Sequence, residues 1–136
     1  MSATYVLDAN AVMDFIDAGP GSRKVGQLLK DAALPQTSVM LSTANFGEVF
    51  YVLWQRDGEE VARNTTSSLT QLPLHFVPVD LPQALKAGEM KARHKIPYVD
   101  CLAAALAALN HATLVTSDRD FEKLGRQFPI LWLARP

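Results

Sequence analysis

Cysteine is nearly absent from this chain. Among 136 residues only Cys101 carries a thiol, which excludes an intrachain disulfide framework and fits a reducing compartment. Histidine is scarce as well: His75, His94 and His111 are scattered, and no cysteine–histidine spacing offers a zinc site. Net charge is almost missing. The 13 Lys and Arg against 14 Asp and Glu leave −1, so attraction to a polyanion has to come from a local patch. The longest apolar run, 101–109, is too short to span a bilayer, and the opening "MSATYVLD" lacks a basic stretch followed by an apolar signal region. These absences lead to the expectation of a cytoplasmic protein with no membrane association. What is present is ordinary for a globular protein: 49% hydrophobic and 20% charged residues, in a length that suits one domain, 1–136, with a real core.

Short apolar runs alternate with helical patterns from end to end. "TYVL" reads as a buried strand, followed by a helix from about Asn10, a break at "AGPGS" and a second helix over 22–33. "SVMLST" is the next strand. The helix over 44–55 carries Phe46, Val49, Phe50 and Leu53 at core spacing, and another helix over 59–72 stops at Pro73. In "LHFVPV", Pro78 weakens a strand or marks an edge. Helices over 81–94 and 99–110, the strand "ATLVTS", a short helix near Phe121 and a final strand in "FPILWL" complete the chain. Strands separated by helices predict an α/β fold around a mostly parallel sheet.

One helix poses a question. "PYVDCLAAALAAL" is almost entirely alanine and leucine, broken by Asp100. On a wheel of about 100° per residue, Leu102, Leu106 and Leu109 form the apparent core stripe, while Ala103, Ala104 and Ala107 share the side of Asp100. In open α/β sheets ligands bind outside the carboxyl ends of the strands. "YVLDAN" puts Asp8 at such an end, and "TLVTSDRDF" puts Asp118 and then Asp120 at another. Asp100 opens the helix before that second strand, and Glu48 lies early in the helix after "SVMLST". The four acids Asp8, Glu48, Asp100 and Asp118 are therefore expected to converge. Two such charges about 4 Å apart repel by roughly 4 kcal/mol at an effective dielectric of about 20. A divalent cation removes that penalty, and oxygen-only ligands suit Mg²⁺ or Mn²⁺. On this reading the alanines let the helix pack closely at a polar pocket, and Asp100 faces metal.

Plainer readings compete. Asp8 could begin a turn, Asn10 could cap the first helix, and Asp100 could be a helix-dipole charge. Glu48 shares a side with Gln55, opposite the Phe46/Phe50 stripe, as a solvated residue would. Asp118 and Asp120 could be turn residues. Asp14, Asp17, Asp31, Asp57, Asp80, Glu59, Glu60, Glu89 and Glu122 are read as solvated charges.

The segments "YVLDANAVMDF", "STANFGEVFYVL", "HKIPYVDCLAAALA" and "TLVTSDRDF" stand in the order and spacing of a PIN-domain ribonuclease, and the chain most resembles the VapC-type toxins of type II toxin–antitoxin pairs. The resemblance covers essentially the whole chain. It implies a Rossmann-like three-layer α/β/α sandwich with an acidic pocket holding Mg²⁺ or Mn²⁺. It implies Asp8, Glu48, Asp100 and Asp118 as catalytic and metal-binding residues, with Asp8 and Asp100 the commonest direct ligands and the others often acting through water. Asn10, Thr116 and Asp120 match supporting polar positions. The implied reaction is hydrolysis of an RNA phosphodiester, leaving a 5′-phosphate and a 3′-hydroxyl. The implied partners are a cognate antitoxin, whose C-terminal segment crosses the active-site groove, and a second copy in a homodimer.

RNA needs cations near the acids. Arg93, His94 and Lys95 precede Asp100 and Arg119 follows Asp118, and these are the candidate phosphate contacts. The balanced total charge favours a selective substrate, such as a tRNA or another structured RNA. Tyr51 and Trp54 lie to one side of their helix's main stripe and are candidates for an interface. Rival readings are a PIN fold kept as a catalytically silent scaffold and a Mg²⁺-binding phosphoacceptor receiver. The receiver wants paired acids after the first strand and a lysine after the fifth, which this chain lacks. A haloacid-dehalogenase-type phosphatase wants a second carboxylate where Asn10 stands.

Overall fold

The computed structural model describes residues 2–135. Five strands, β1 (Ala3–Leu7), β2 (Thr37–Ser42), β3 (His75–Val77), β4 (Thr113–Thr116) and β5 (Ile130–Trp132), form one sheet in the order β3-β2-β1-β4-β5. Every pairing among the described residues is parallel. The helices α1 (Ala9–Ile16), α2 (Ser22–Asp31), α3 (Thr43–Asp57), α4 (Glu59–Leu69), α5 (Leu81–Arg93) and α6 (Tyr98–Leu109) fall between the strands, and a 3₁₀ helix (Arg119–Leu124) precedes β5. None of the described helices is long and apolar enough to cross a membrane.

Period-two alternation sorts the strand side chains into two cores. Leu7, Leu41 and Val115, which share one row of the sheet, pack with Val12, Val25, Val49, Leu53 and Ala62 from the first four helices. Val6 and Leu114, one step earlier, pack with Ala87, Met90 and the body of α6. Helices therefore cover both faces, giving the three-layer α/β/α sandwich expected from the sequence. β3 is an edge strand that ends before Pro78, as the missing N–H requires.

The alanine-rich helix corrects one sequence reading. Every residue from Cys101 to Ala107 is buried, so α6 has no solvated side along that stretch. Ala103, Ala104 and Ala107 pack into the second core instead of lining a polar pocket, and their small size lets α6 lie close to the sheet and to α5. Leu109, assigned to the core stripe, is 44% exposed because it stands at the helix end, beyond the sheet. Two acids read as solvated are structural. Asp14 accepts the Gly21 N–H at 2.6 Å and so builds the "AGPGS" turn, where a Cβ on Gly19 would stand 1.8 Å from the same carboxylate. Asp80 caps α5 through the Gln83 N–H at 3.0 Å.

Candidate active site

Chain order defines the location. β1 leads to β2 and β3 on one side of the sheet, while β4 and β5 add to the other side, so the strand order reverses between β1 and β4. Loops diverge at such a switch point and leave a crevice at the carboxyl ends. A cavity of about 260 Å³ opens there, and its polar lining is Asp8, Asn10, Glu48, Asp100 and Asp118. Met13, Val49 and Val52 supply an apolar wall, and no basic side chain lines it.

Asp8 directly follows Leu7, the last residue of β1, and is only 3% exposed. Its extended backbone makes it the N-cap of α1, with Oδ1 accepting the Ala11 N–H at 2.7 Å. The cap is thus Asp8, which corrects the alternative that Asn10 caps this helix. Oδ2 accepts the Thr116 hydroxyl at 2.5 Å, and the same Thr116 oxygen accepts the Asp118 N–H at 2.9 Å. One threonine therefore ties the acid after β1 to the acid after β4. Asp118 in turn caps the 3₁₀ helix by accepting the Asp120 N–H at 2.9 Å. Asn10 accepts from the Ser117 hydroxyl, so it braces the loop that carries Asp118 and does not bond an acid.

Charge crowding is visible in the proton affinities. Burial pushes the Asp8 carboxyl up from 3.8 to about 7; its two hydrogen bonds oppose the rise, and Asp100 and Asp118 add to it. Asp100, half-buried in the first turn of α6, is raised to about 6 by burial and by Glu48, Asp118 and Asp120. Burial raises Glu48 as well, and its Oε1 is enclosed without a hydrogen-bond partner. Glu48 is therefore not the solvated residue that helix periodicity allowed.

All donors on this cavity are oxygen, one carboxylate oxygen is orphaned, and no side-chain cation offsets the charge. That donor set fits a hard divalent ion. Among the described residues no three acidic, histidine or cysteine side chains are close enough to grip one ion together, so the carboxylates face a shared cavity without forming a closed cage.

The structure separates the remaining candidates. Asp120 is exposed and 3.6 Å from Lys123, at the rim beside Asp100. Arg93 is exposed and pairs with Glu89 at 3.4 Å. His94 and Lys95 form the loop before α6, and the Lys95 carbonyl accepts from Lys123 at 2.8 Å, which fastens that loop to the 3₁₀ helix. None of these three lines the cavity. Arg119 turns to β5, where its guanidinium lies 4.3 Å from the centre of the Trp132 ring. Tyr51 and Trp54 are 51% and 39% exposed.

Sequence reasoning missed a buried polar layer beneath the site. Asn45, wholly buried, donates to the Val99 carbonyl at 3.1 Å and so holds the turn bearing Asp100 against the helix bearing Glu48. Gln83 donates to Ser42 at 3.2 Å and to the Leu102 carbonyl at 3.0 Å, joining α5, α6 and the end of β2. The available signal was positional: Ser42 ends β2 as Thr116 ends β4, and Asn45 stands one helical turn before Glu48.

Comparison with the sequences of characterised proteins finds no match. Solved structures do resemble this one. The VapBC2 complex of Rickettsia felis bound to a promoter DNA fragment contains a chain with a TM-score of 0.76 at 19% identity, covering 96% of this chain and 99% of that one. Mycobacterium tuberculosis VapC20, described as a toxin cleaving the sarcin–ricin loop, gives 0.70 at 20% identity over 89% and 95%. The FitAcB structure from Neisseria gonorrhoeae gives 0.69 at 20% identity over 93% and 96%. At such identities the likeness is one of fold. The family model for the PIN domain matches residues 5–127, a span that runs from β1 through the 3₁₀ helix and includes all four cavity carboxylates, and by that match the chain belongs to the PIN domain family.

Proposed function

We propose that this protein is a metal-dependent endoribonuclease that hydrolyses RNA phosphodiesters and acts as the toxin of a type II toxin–antitoxin pair. The observation that carries the reading is the convergence of Asp8, Glu48, Asp100 and Asp118 on one cavity, with a Glu48 oxygen enclosed and unpartnered and no cation beside it. Membership of the PIN family and the fold shared with toxins of VapBC complexes support it.

Asp8, Asp100, Glu48 and Asp118 are the residues that would hold Mg²⁺ or Mn²⁺. Bound there, a divalent ion supplies a water of lowered pKa and positive charge against the charge that develops on the phosphoryl oxygens. The rest belongs to the protein. Asp8 is locked by the Ala11 N–H and the Thr116 hydroxyl, so its position needs no rearrangement during reaction. One of the four carboxylates orients the attacking water or accepts its proton. Met13, Val49 and Val52 limit bulk water on one side. Lys95 and His94, on the loop fastened beside Asp100, contact the RNA backbone.

The remaining partners follow from the same reading. A cognate antitoxin would cover the cavity with a basic side chain, and Tyr51 and Trp54 offer exposed aromatic area for it or for a second copy of the chain in a homodimer. The balanced charge favours a structured RNA, tRNA among them, over indiscriminate degradation. Incubation of purified protein with total RNA and Mn²⁺ or Mg²⁺, alongside Asp100→Asn, tests the activity. Metal-dependent cleavage with 5′-phosphate ends, lost in the variant, is the expected result. Absence of cleavage with every RNA and both ions would leave a silent scaffold.

A further inference from the structure

A second cavity, of about 570 Å³, lies at the open edge of β5 and has no part in the chemistry above. Its lining combines Trp132, Phe128 and Ile130 with Arg126 and Glu122. Its size falls in the usual range of small-ligand sites, about 300–1,000 Å³.

Two features connect it with the acidic cavity. Trp132 is the register partner of Thr116, the residue whose hydroxyl holds Asp8, so its backbone lies one strand, roughly 4.8 Å, from that of Thr116. Arg119 directly follows Asp118, and its guanidinium covers the Trp132 ring at 4.3 Å. Charge adds a third feature. Among the described residues Arg119 and Arg126, like Arg23, enter no ion pair, whereas Arg56, Arg63 and Arg93 do. An aromatic ring with one guanidinium on it and another beside it is the kind of surface on which unpaired bases stack while phosphate is held.

We infer that the groove beside Trp132 binds one unpaired nucleobase of the RNA next to the scissile position, with Arg126 on its phosphate and Glu122 reading its edge. This inference rests on the ribonuclease reading and deepens it by naming a single-stranded element of the substrate. Glu122 gives the site a preference. A carboxylate accepts hydrogen bonds from amino-bearing base edges, as it does from cytosine N4, and guanine offers two adjacent donors. Uracil offers a single N3–H flanked by two carbonyl oxygens that oppose the carboxylate, so it is selected against. Arg119, by stacking on the indole, keeps the ring in place as a positioning residue.

The test uses the full-length protein as Asp100→Asn, to prevent hydrolysis, and Trp54→Phe, which leaves Trp132 the only tryptophan. Its fluorescence is titrated with GMP and with UMP. Saturable quenching by GMP is expected, roughly fivefold tighter than by UMP. Arg126→Ala, an exposed change that leaves the reporter intact, is expected to weaken GMP binding, and Glu122→Gln to erase the GMP–UMP difference. Fluorescence that responds to neither nucleotide, or that responds to both equally and is indifferent to Glu122→Gln and Arg126→Ala, would overturn the assignment. This readout needs no cleavage. A protein that degrades RNA in a metal-dependent manner with Trp132 silent keeps its nuclease activity and loses only the groove.

Discussion

Replacing Asp8 by asparagine removes a buried charge from a site that holds it at a cost. The carboxyl is 3% exposed and has been carried from 3.8 to about 7, which is worth on the order of 4 kcal/mol of folding free energy. A carboxyl whose folded value lies above its unfolded value binds its proton more tightly in the native state. Its contribution to stability is therefore complete below about pH 4 and lost as pH rises through about 7. Asparagine keeps the acceptor for the Ala11 N–H, and its amide can donate to the Thr116 oxygen in place of the bond now made. Both hydrogen bonds are already included in the value of about 7, so they take nothing further from the gain. Asp8→Asn should accordingly be about 4 kcal/mol more stable than the wild type near pH 8 without added metal, and no more stable near pH 4. Urea unfolding in chelator across that range, both proteins side by side, measures the difference. A gain of the same size at both ends of the range, or a variant less stable near pH 8, would refute the reasoning.

Other perturbations probe the surrounding structure. Thr116→Val leaves the Asp8 Oδ2 and the Asp118 N–H without partners and should cost about 2 kcal/mol in unfolding experiments, while Thr116→Ser restores most of it. Asn45→Leu removes the bond to the Val99 carbonyl; cleavage should fall with Asp100 misplaced, and Asn45→Asp should not rescue it, because an acceptor cannot replace the donor. Ala105→Leu forces three heavy atoms more than a fully buried position holds in α6 and should destabilise by roughly 1–3 kcal/mol by thermal or urea unfolding, whereas Leu109→Lys should stay within about 0.5 kcal/mol of the wild type.

Much of this structure could be read before any coordinates. Strand and helix positions followed from apolar runs and breakers, because the inner strands β1, β2 and β4 carry apolar residues into both layers and each helix ends near a proline, a glycine or a polar cluster. The acids at strand ends were legible because a parallel sheet aligns its carboxyl ends, which places Asp8, Ser42 and Thr116 in one row. Less legible was anything that depends on what covers a helix from outside. The alanine face of α6 pointed to a pocket on its own wheel, but α5 and the sheet enclose it, and no wheel contains its neighbours. Glu48 shows the same limit in reverse: periodicity placed it with solvated residues, yet its Oε1 is enclosed where α3 packs against α1 and α6. Caps such as Asp14 and Asp80 were hidden because a short acid in a turn looks alike whether it faces water or a backbone N–H.

The most direct measurement is a Mn²⁺ soak of crystals near pH 8, followed by an anomalous difference map. A peak is expected inside the cavity, within ligand distance of carboxylate oxygens from at least two of Asp8, Glu48, Asp100 and Asp118, and missing from Asp100→Asn. A map empty at that cavity, or one with manganese bound only elsewhere on the molecule, would contradict the claim that these acids are gathered to hold a divalent ion.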